Sequence, residues 1–279
     1  MSAEGPRRGV VVVTGTGGMG RAVARRLGTG RSLVLADASD QQLQDAAEAL
    51  RADGFEVHPV SVDVASEREV AALATAASDL GSLCSLVHTA GVSPVQATPR
   101  QIVDVDVIGT ARILDAFEAL AEPGTVGVCI ASMAGTMTTL PPDALEQLAV
   151  TPTDQLHALP LLDPAEMNSG VAYGLAKRAN QIRVQAASVA WGRRGGRVVS
   201  VSPGVIHTPM GQAELAGPFG DAMRDMIERS GTHRVGTPDD IAAAVEFLCS
   251  PAASFITGTD LLVDGGVVAA LATPTGAAT

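Results

Sequence analysis

A chain of 279 residues that is 46% apolar holds enough material for one large buried core. Its formal net charge of -11, with no basic run, argues against nucleic-acid or anionic-membrane partners. No apolar stretch is long enough to span a bilayer, and the opening MSAEGPRRG lacks the apolar core of a signal peptide, so a cytoplasmic location is expected.

Residues 9–14, GVVVVT, are short, β-branched and apolar, the pattern of a strand buried on both faces. Similar runs follow at 32–37, 56–63, 85–91 and 125–132. Between them apolar residues recur with helical period, as with Leu43, Ala46, Ala47 and Leu50, and with Val70, Leu73, Ala74 and Ala77. Ser39 and Ser66 stand at N-cap positions, and Gly54 and Gly81 just past the helix ends. This alternation predicts an α/β fold with a doubly wound parallel sheet and helices on both faces.

Beyond Ser132 the alternation breaks. Residues 133–172 are rich in proline and leucine, too long and too apolar for a bare loop, and read as an insertion forming part of a substrate flap. The period resumes with a helix at 171–191, a strand at 196–202, an irregular stretch to about residue 237, the helix PDDIAAAVEFLCS and a last strand in TDLLVDGG. The sum is a single domain over residues 1–279 with about seven strands, ending in a loose TPTGAAT tail. Cys84, Cys129 and Cys249 lack ligand spacing and read as small buried hydrophobes, so no metal site is predicted.

Directly after the first strand, TGTGGMG sets Gly15, Gly17 and Gly20 in a G-x-G-x-x-G pattern, with Thr16, Gly18 and Met19 between them. Glycine is needed there for a tight turn, for close backbone approach to a pyrophosphate and for packing of the helix whose N-terminus receives the charge. A ligand-free turn can carry the same letters. The strand before it, the helix AVARRLG after it and Asp37 at the end of the next strand favour the dinucleotide reading. A carboxylate at Asp37 suits the ribose hydroxyls of NAD and repels the 2′-phosphate of NADP, and Thr16 agrees, while Arg21 and Arg31 keep NADP open.

Tyr173 and Lys177, in YGLAK, are the only tyrosine and the only lysine, every other basic residue being arginine. On a helix, i and i+4 share a face, and an ammonium beside a phenol favours the phenolate, which makes the pair a general acid/base. A compact ammonium in a chain that otherwise uses guanidinium argues against a merely structural role.

Taken together, the glycine loop, Y-x-x-x-K and the closing LLVDGG resemble the short-chain dehydrogenase/reductases, single-domain Rossmann oxidoreductases. The resemblance implies that Tyr173 is the acid/base, that Lys177 lowers its pKa and holds the nicotinamide ribose, and that Ser132 in CIASMAG orients the substrate oxygen. It implies that Asp63 and Val64 contact the adenine and that Ala90 and Gly91, in HTAG, line the cofactor. In SPGVIHT it implies that Pro203 and Gly204 shape a loop over the nicotinamide, with Ile206 and Thr208 near the carboxamide. His207 reads as exposed and without a role.

His88 departs from the family pattern at the head of HTAG. The glycine loop is one residue shorter than usual, so its turn should differ locally. A helix asparagine that commonly serves a proton relay falls here on Asp106, which could support a water or pair with Lys177, and which joins the candidate catalytic residues. Within the family the long insertion and SPGVIHTPM are most similar to bacterial 3α-hydroxysteroid dehydrogenase/carbonyl reductases.

The expected activity is NAD-dependent interconversion of a secondary alcohol and a ketone on a bulky, apolar substrate such as a steroid. An NADPH-dependent ketoreductase and a non-catalytic dinucleotide-binding protein are the alternatives. Asp143, Glu146, Asp154, Asp163 and Glu166 in the insertion should repel anionic substrates, and Met210, Leu215, Phe219, Met223 and Met226 suit an apolar one. A homodimer or homotetramer is expected from the resemblance. The insertion is placed to obstruct the face formed by the helices near 100–120 and 171–191, leaving the C-terminal helix and strand as another route to a dimer.

Overall fold

The computed structural model describes residues 9–273, so the opening MSAEGPRR and nearly all of the TPTGAAT tail lie outside the described residues. Its strands are β1 (Val10–Thr14), β2 (Ser32–Asp37), β3 (Glu56–Ser61), β4 (Leu83–His88), β5 (Val126–Ile130), β6 (Arg197–Pro203) and β7 (Asp260–Val263). They form one seven-stranded sheet in the order β3-β2-β1-β4-β5-β6-β7, with every pair parallel. All residues of β1 and β5 are buried, as continuous apolar runs in a sheet covered on both faces require.

Helices α1 (Gly18–Leu27) and α2 (Asp40–Ala52) lie on one face and α3 (Glu67–Leu80) on the other. Alternate strand residues feed the two cores: Val11 and Val13 meet Val23, Leu43 and Leu50, whereas Val10 and Val12 meet Val70, Leu73 and Phe117. The Ser39 and Ser66 hydroxyls accept hydrogen bonds from the Gln42 and Glu69 amides, the N-caps expected of them. Strand order reverses between β1 and β4, which opens a crevice at the carboxyl edge, where ligands bind in such sheets.

The next helical segment is broken in character. A short α4 (Pro99–Ile102) leads into a π-helical stretch, Val103–Gly109, and then α5 (Thr110–Glu118). Beside it runs the long α8 (Ser169–Arg193), which carries Tyr173 and Lys177.

Between β5 and α8 the insertion folds as α6 (Met133–Met137), α7 (Pro142–Val150) and three 3-10 turns at Thr153–Ala158, Pro160–Leu162 and Pro164–Glu166. Much of it packs into the core. Leu148, Leu156 and Leu162 are buried in a third core with Ile102, Val107, Ile108, Ala172, Leu175 and Ala179. Arg183 of α8 latches it, donating to the Thr151 carbonyl at 2.6 Å and to Thr153 Oγ1 at 2.9 Å. The expected acidic screen is also absent from the crevice: Asp143, Glu146, Asp154, Asp163 and Glu166 are all exposed and line neither cavity described below.

The remaining helices are α9 (Pro209–Ala216), α10 (Gly220–Arg229), α11 (Pro238–Cys249) and α12 (Val267–Ala272). Among the described residues no helix is long and apolar enough to cross a membrane, and no cluster of side chains could hold a metal ion. Of the three cysteines only Cys129 is buried, Cys84 and Cys249 being half-buried, and burial pushes the Cys129 thiol up to about 12 and the Cys249 thiol up to about 11.

If the insertion belongs to the core, Leu148→Ala should cost about 2–5 kcal/mol, as buried leucines do. The urea midpoint of unfolding would fall accordingly, whereas an unchanged midpoint would mean that the segment is not packed as described.

Candidate active site

The glycine loop bridges β1 and α1. Gly15 has φ +82, a left-handed conformation that glycine adopts without steric cost, and a Cβ at Gly20 would lie 1.8 Å from the Gly15 carbonyl oxygen. A Cβ at Gly17 would meet nothing within 4 Å, so that side of the backbone faces open space. No side chain caps α1, and its first-turn amides are available to an anion.

Around the loop lies a cavity of about 440 Å³. Gly15, Gly17, Gly18, Met19, Gly20, Asp37, Asp63, Val64, Ala90, Gly91 and Thr208, all sequence candidates, line it. Thr16 does not. Its amide and its hydroxyl both donate to Asp37 Oδ2, at 2.6 and 2.8 Å, and the Ser39 amide donates to Oδ1 at 2.9 Å. Thr16 therefore fixes the acid and does not itself face the cavity. Gln42 and Gln96 also line the space, and nothing in their local sequence marked them.

A second cavity, of about 340 Å³, meets the first through Met19, Thr208 and Met210. Ser132 and Tyr173 line it together with Pro203, Gly204 and Ile206 of the loop expected over the nicotinamide, with Met133, Ala134 and Met137 the insertion's whole contribution. Met210, Phe219, Met223 and Met226 form further walls, while Leu215 packs behind them. Sequence reasoning missed Pro94, Val95 and above all Glu214.

Tyr173 is half-buried, and Lys177 lies one turn along α8 with Nζ 5.4 Å from the centre of the phenol ring. Neither Lys177 nor Asp106 lines a cavity. They form a buried pair, 5% and 0% exposed, with Nζ 3.1 Å from Asp106 Oδ2. Asp106 Oδ1 accepts from the Val92 amide at 2.8 Å. Of the roles open to Asp106, pairing with Lys177 is the one the geometry realises.

Burial opposes charge on Lys177, but the Asp106 carboxylate and the Tyr173 phenol outweigh it and raise the ammonium pKa. Burial likewise pushes the Tyr173 phenol up. Lys177 pulls against that, Glu214 and Asp106 add to it, and a hydrogen bond with Ser132 favours the phenolate.

His88, the departure in HTAG, is structural. Thr110 Oγ1 donates to the Asp106 carbonyl at 2.8 Å and itself accepts from His88 Nε2 at 3.0 Å, while Thr14 Oγ1 donates to His88 Nδ1 at 2.6 Å. Burial drives its pKa down to about 3, so a neutral imidazole ties β1 and β4 to the helix that carries Asp106. His207 is exposed, as expected, with Nε2 3.2 Å from Gln212 Nε2.

Residues 9–140 match the short chain dehydrogenase family, and residues 164–268 match the Enoyl-(Acyl carrier protein) reductase family. A short-chain dehydrogenase/reductase of Alternaria brassicicola is 38% identical over 95% of this chain and 97% of its own length. The chain is a short-chain dehydrogenase/reductase. Among this family's members, the 3-alpha-hydroxysteroid dehydrogenase/carbonyl reductase of Comamonas testosteroni is 29% identical over 80% of this chain and 91% of its own. A 7α-hydroxysteroid dehydrogenase solved with NADH and 7-oxo glycochenodeoxycholic acid has a TM-score of 0.74 at 25% identity, over 92% of this chain and 93% of that one. The family binds a nicotinamide dinucleotide, and the uncapped glycine loop, the open space at Gly17 and the fixed Asp37 carboxylate fit one.

Because Tyr173 is the only tyrosine, ultraviolet titration of phenolate reads this one residue. Asp106→Asn removes a charge that disfavours the phenolate and should move the midpoint to lower pH, whereas Lys177→Met should move it higher. Midpoints that stay put in both variants would disprove the coupling.

Proposed function

We propose that this chain interconverts a secondary alcohol and its ketone on a bulky, apolar, steroid-like substrate, using NAD(H). The observation that carries this reading is the place of Tyr173 and Ser132. Both face the apolar cavity, which joins the cavity around the glycine loop. Bound there, the dinucleotide supplies hydride to a carbonyl carbon or removes it from a carbinol carbon.

The phenolate of Tyr173 takes the hydroxyl proton in oxidation, and the phenol returns it in reduction. Lys177 favours the phenolate, and Asp106 raises the pKa of the Lys177 ammonium against the opposing effect of burial. Ser132, held at the N-cap of α6 by the Ala134 amide at 3.1 Å, hydrogen-bonds the reacting oxygen beside Tyr173. Methionine and valine walls exclude water, and the volume suits a rigid polycyclic frame. The hydroxysteroid activities named for two similar proteins support that substrate class.

NAD is favoured by the lining of the glycine-loop cavity. Among the described residues, Asp37 and Asp63 are its charged residues, no arginine or lysine lines it, and neither Arg21 nor Arg31 is part of its lining. The same reading places the protein in the cytoplasm as a homo-oligomer, joined through edge strand β7 and α11 because the insertion covers the α4, α5 and α8 face. Light scattering tests that assembly.

Tyr173→Phe should lower kcat by about 10²–10⁴-fold, the usual worth of a general acid/base, while binding of NADH, read by its fluorescence, stays near that of the wild type. Substantial residual turnover would sink the role of Tyr173. In a panel of polycyclic alcohols, NAD should outperform NADP, and Asp37→Ala should narrow the gap by about tenfold or more, as expected for removing a repelled charge. A wild-type preference for NADP would overturn the cofactor assignment.

A further inference from the structure

Of the ionisable side chains lining the substrate cavity, only Tyr173 and Glu214 are present, and the rest of the wall is mostly methionine, valine, alanine, proline and phenylalanine. Glu214 lies on α9, whose start is fixed by Thr208 Oγ1 accepting from the Gly211 amide at 3.0 Å. Met210 and Glu214 stand at i and i+4, so one helix face turns both toward the cavity, while Gln212 and Ala213 are exposed on the other side.

Three neighbouring acids have cationic partners, and Glu228, which has none among the described residues, is exposed to solvent. Asp221 binds Arg224, Asp225 pairs with Arg229, and Asp240 binds Arg234. The Glu214 carboxylate, by contrast, makes no hydrogen bond or ion pair among the described residues. Lys177, the cation whose field it feels, is already bound to Asp106. Burial raises the pKa of Glu214, which is the mark of a group short of partners. A half-buried acid facing an apolar cavity is costly unless a ligand supplies the missing donor.

We propose that Glu214 is the recognition residue of this cavity, selecting, among bulky apolar ketones and alcohols, those that carry a second hydrogen-bond donor remote from the reacting carbon. The donor is a hydroxyl or a protonated amine. The proposal rests on the alcohol/ketone reading above and narrows its substrate class. It also disfavours ligands that present a carboxylate or phosphate at this end of the cavity, since two like charges would then share an apolar space.

The test uses three bicyclic ketones of the decalone type: the parent, one with a distal hydroxyl and one with a distal amine. Each is assayed for kcat/KM with NADH, and its binding to the protein with NADH is measured by calorimetry. Comparing each donor-bearing ketone with the parent cancels any influence of Glu214 on Tyr173, because all three react at the same phenol.

The wild type should favour at least one donor-bearing ketone by about tenfold or more, the worth of a hydrogen bond to a charged group. Glu214→Leu should erase that advantage. Glu214→Gln, close in shape and still an acceptor, should keep most of the hydroxyl preference and lose the amine preference, which separates the two donors. If the wild type shows no donor preference in turnover or binding, or if Glu214→Leu retains it, the assignment fails. Donor-dependent binding without turnover would sink the alcohol/ketone reading and leave Glu214 standing. Turnover without donor dependence would do the reverse.

Discussion

The site depends on a buried ion pair. Lys177 and Asp106 sit out of contact with solvent at 3.1 Å, and neither would be stable there as a lone charge. Removing one partner from such a pair costs about 3–5 kcal/mol, because the other is left uncompensated. Holding the two together takes several elements. Lys177 comes from α8, Asp106 from the π-helical stretch, and the Val92 amide from the chain that leaves β4. His88 adds a second tie, since its hydrogen bonds to Thr14 and Thr110 anchor the same helical segment to the sheet. The pair is thus a constraint on the fold as well as a source of charge.

That constraint has an electrostatic consequence. An ammonium beside a phenol favours the phenolate, but a carboxylate bound to the ammonium offsets part of its field. Asp106 and Glu214 both disfavour the phenolate, and the phenol stands above its ordinary range. A neutral asparagine in place of Asp106 would remove the negative charge that disfavours the Tyr173 phenolate. The acid secures the charge of the lysine and weakens that charge's effect on the tyrosine, so the phenol ionises at higher pH than it would beside the lysine alone.

Much of the frame was legible in the sequence because it follows from short-range patterns. Continuous β-branched runs gave β1 and β2 to within one residue, and serine caps marked the starts of α2 and α3. Tyr173 and Lys177 were legible from spacing, and Asp37 from its place at the end of β2. The π-helical stretch was not, since VDVDVIG carries no mark of an i+5 bond pattern. The packing of the insertion was missed for another reason. Leu148, Leu156 and Leu162 read the same whether they cover a ligand or a helix. The deciding feature is α8, which buries Ala172, Leu175, Ala179 and Ile182 on one side and Val184 and Trp191 on another. A helix apolar on more than one stripe needs a second cover, and the insertion supplies it.

The same contrast separates the two cavities. The one around the glycine loop is built from backbone: a turn at Gly15, a bare helix N-terminus and an acid fixed by main-chain amides. Such features are set by local sequence and can recur in any chain that binds the same group. The second cavity is built from side chains that meet only in three dimensions, drawn from α6, α8, α9, α10 and the loop after β6. Glu214 is the clearest case, an unremarkable letter in MGQAELA that becomes significant only when α9 turns it among methionines. The lining of the first cavity therefore comes largely from the first half of the chain, whereas α9 and α10 supply much of the wall of the second.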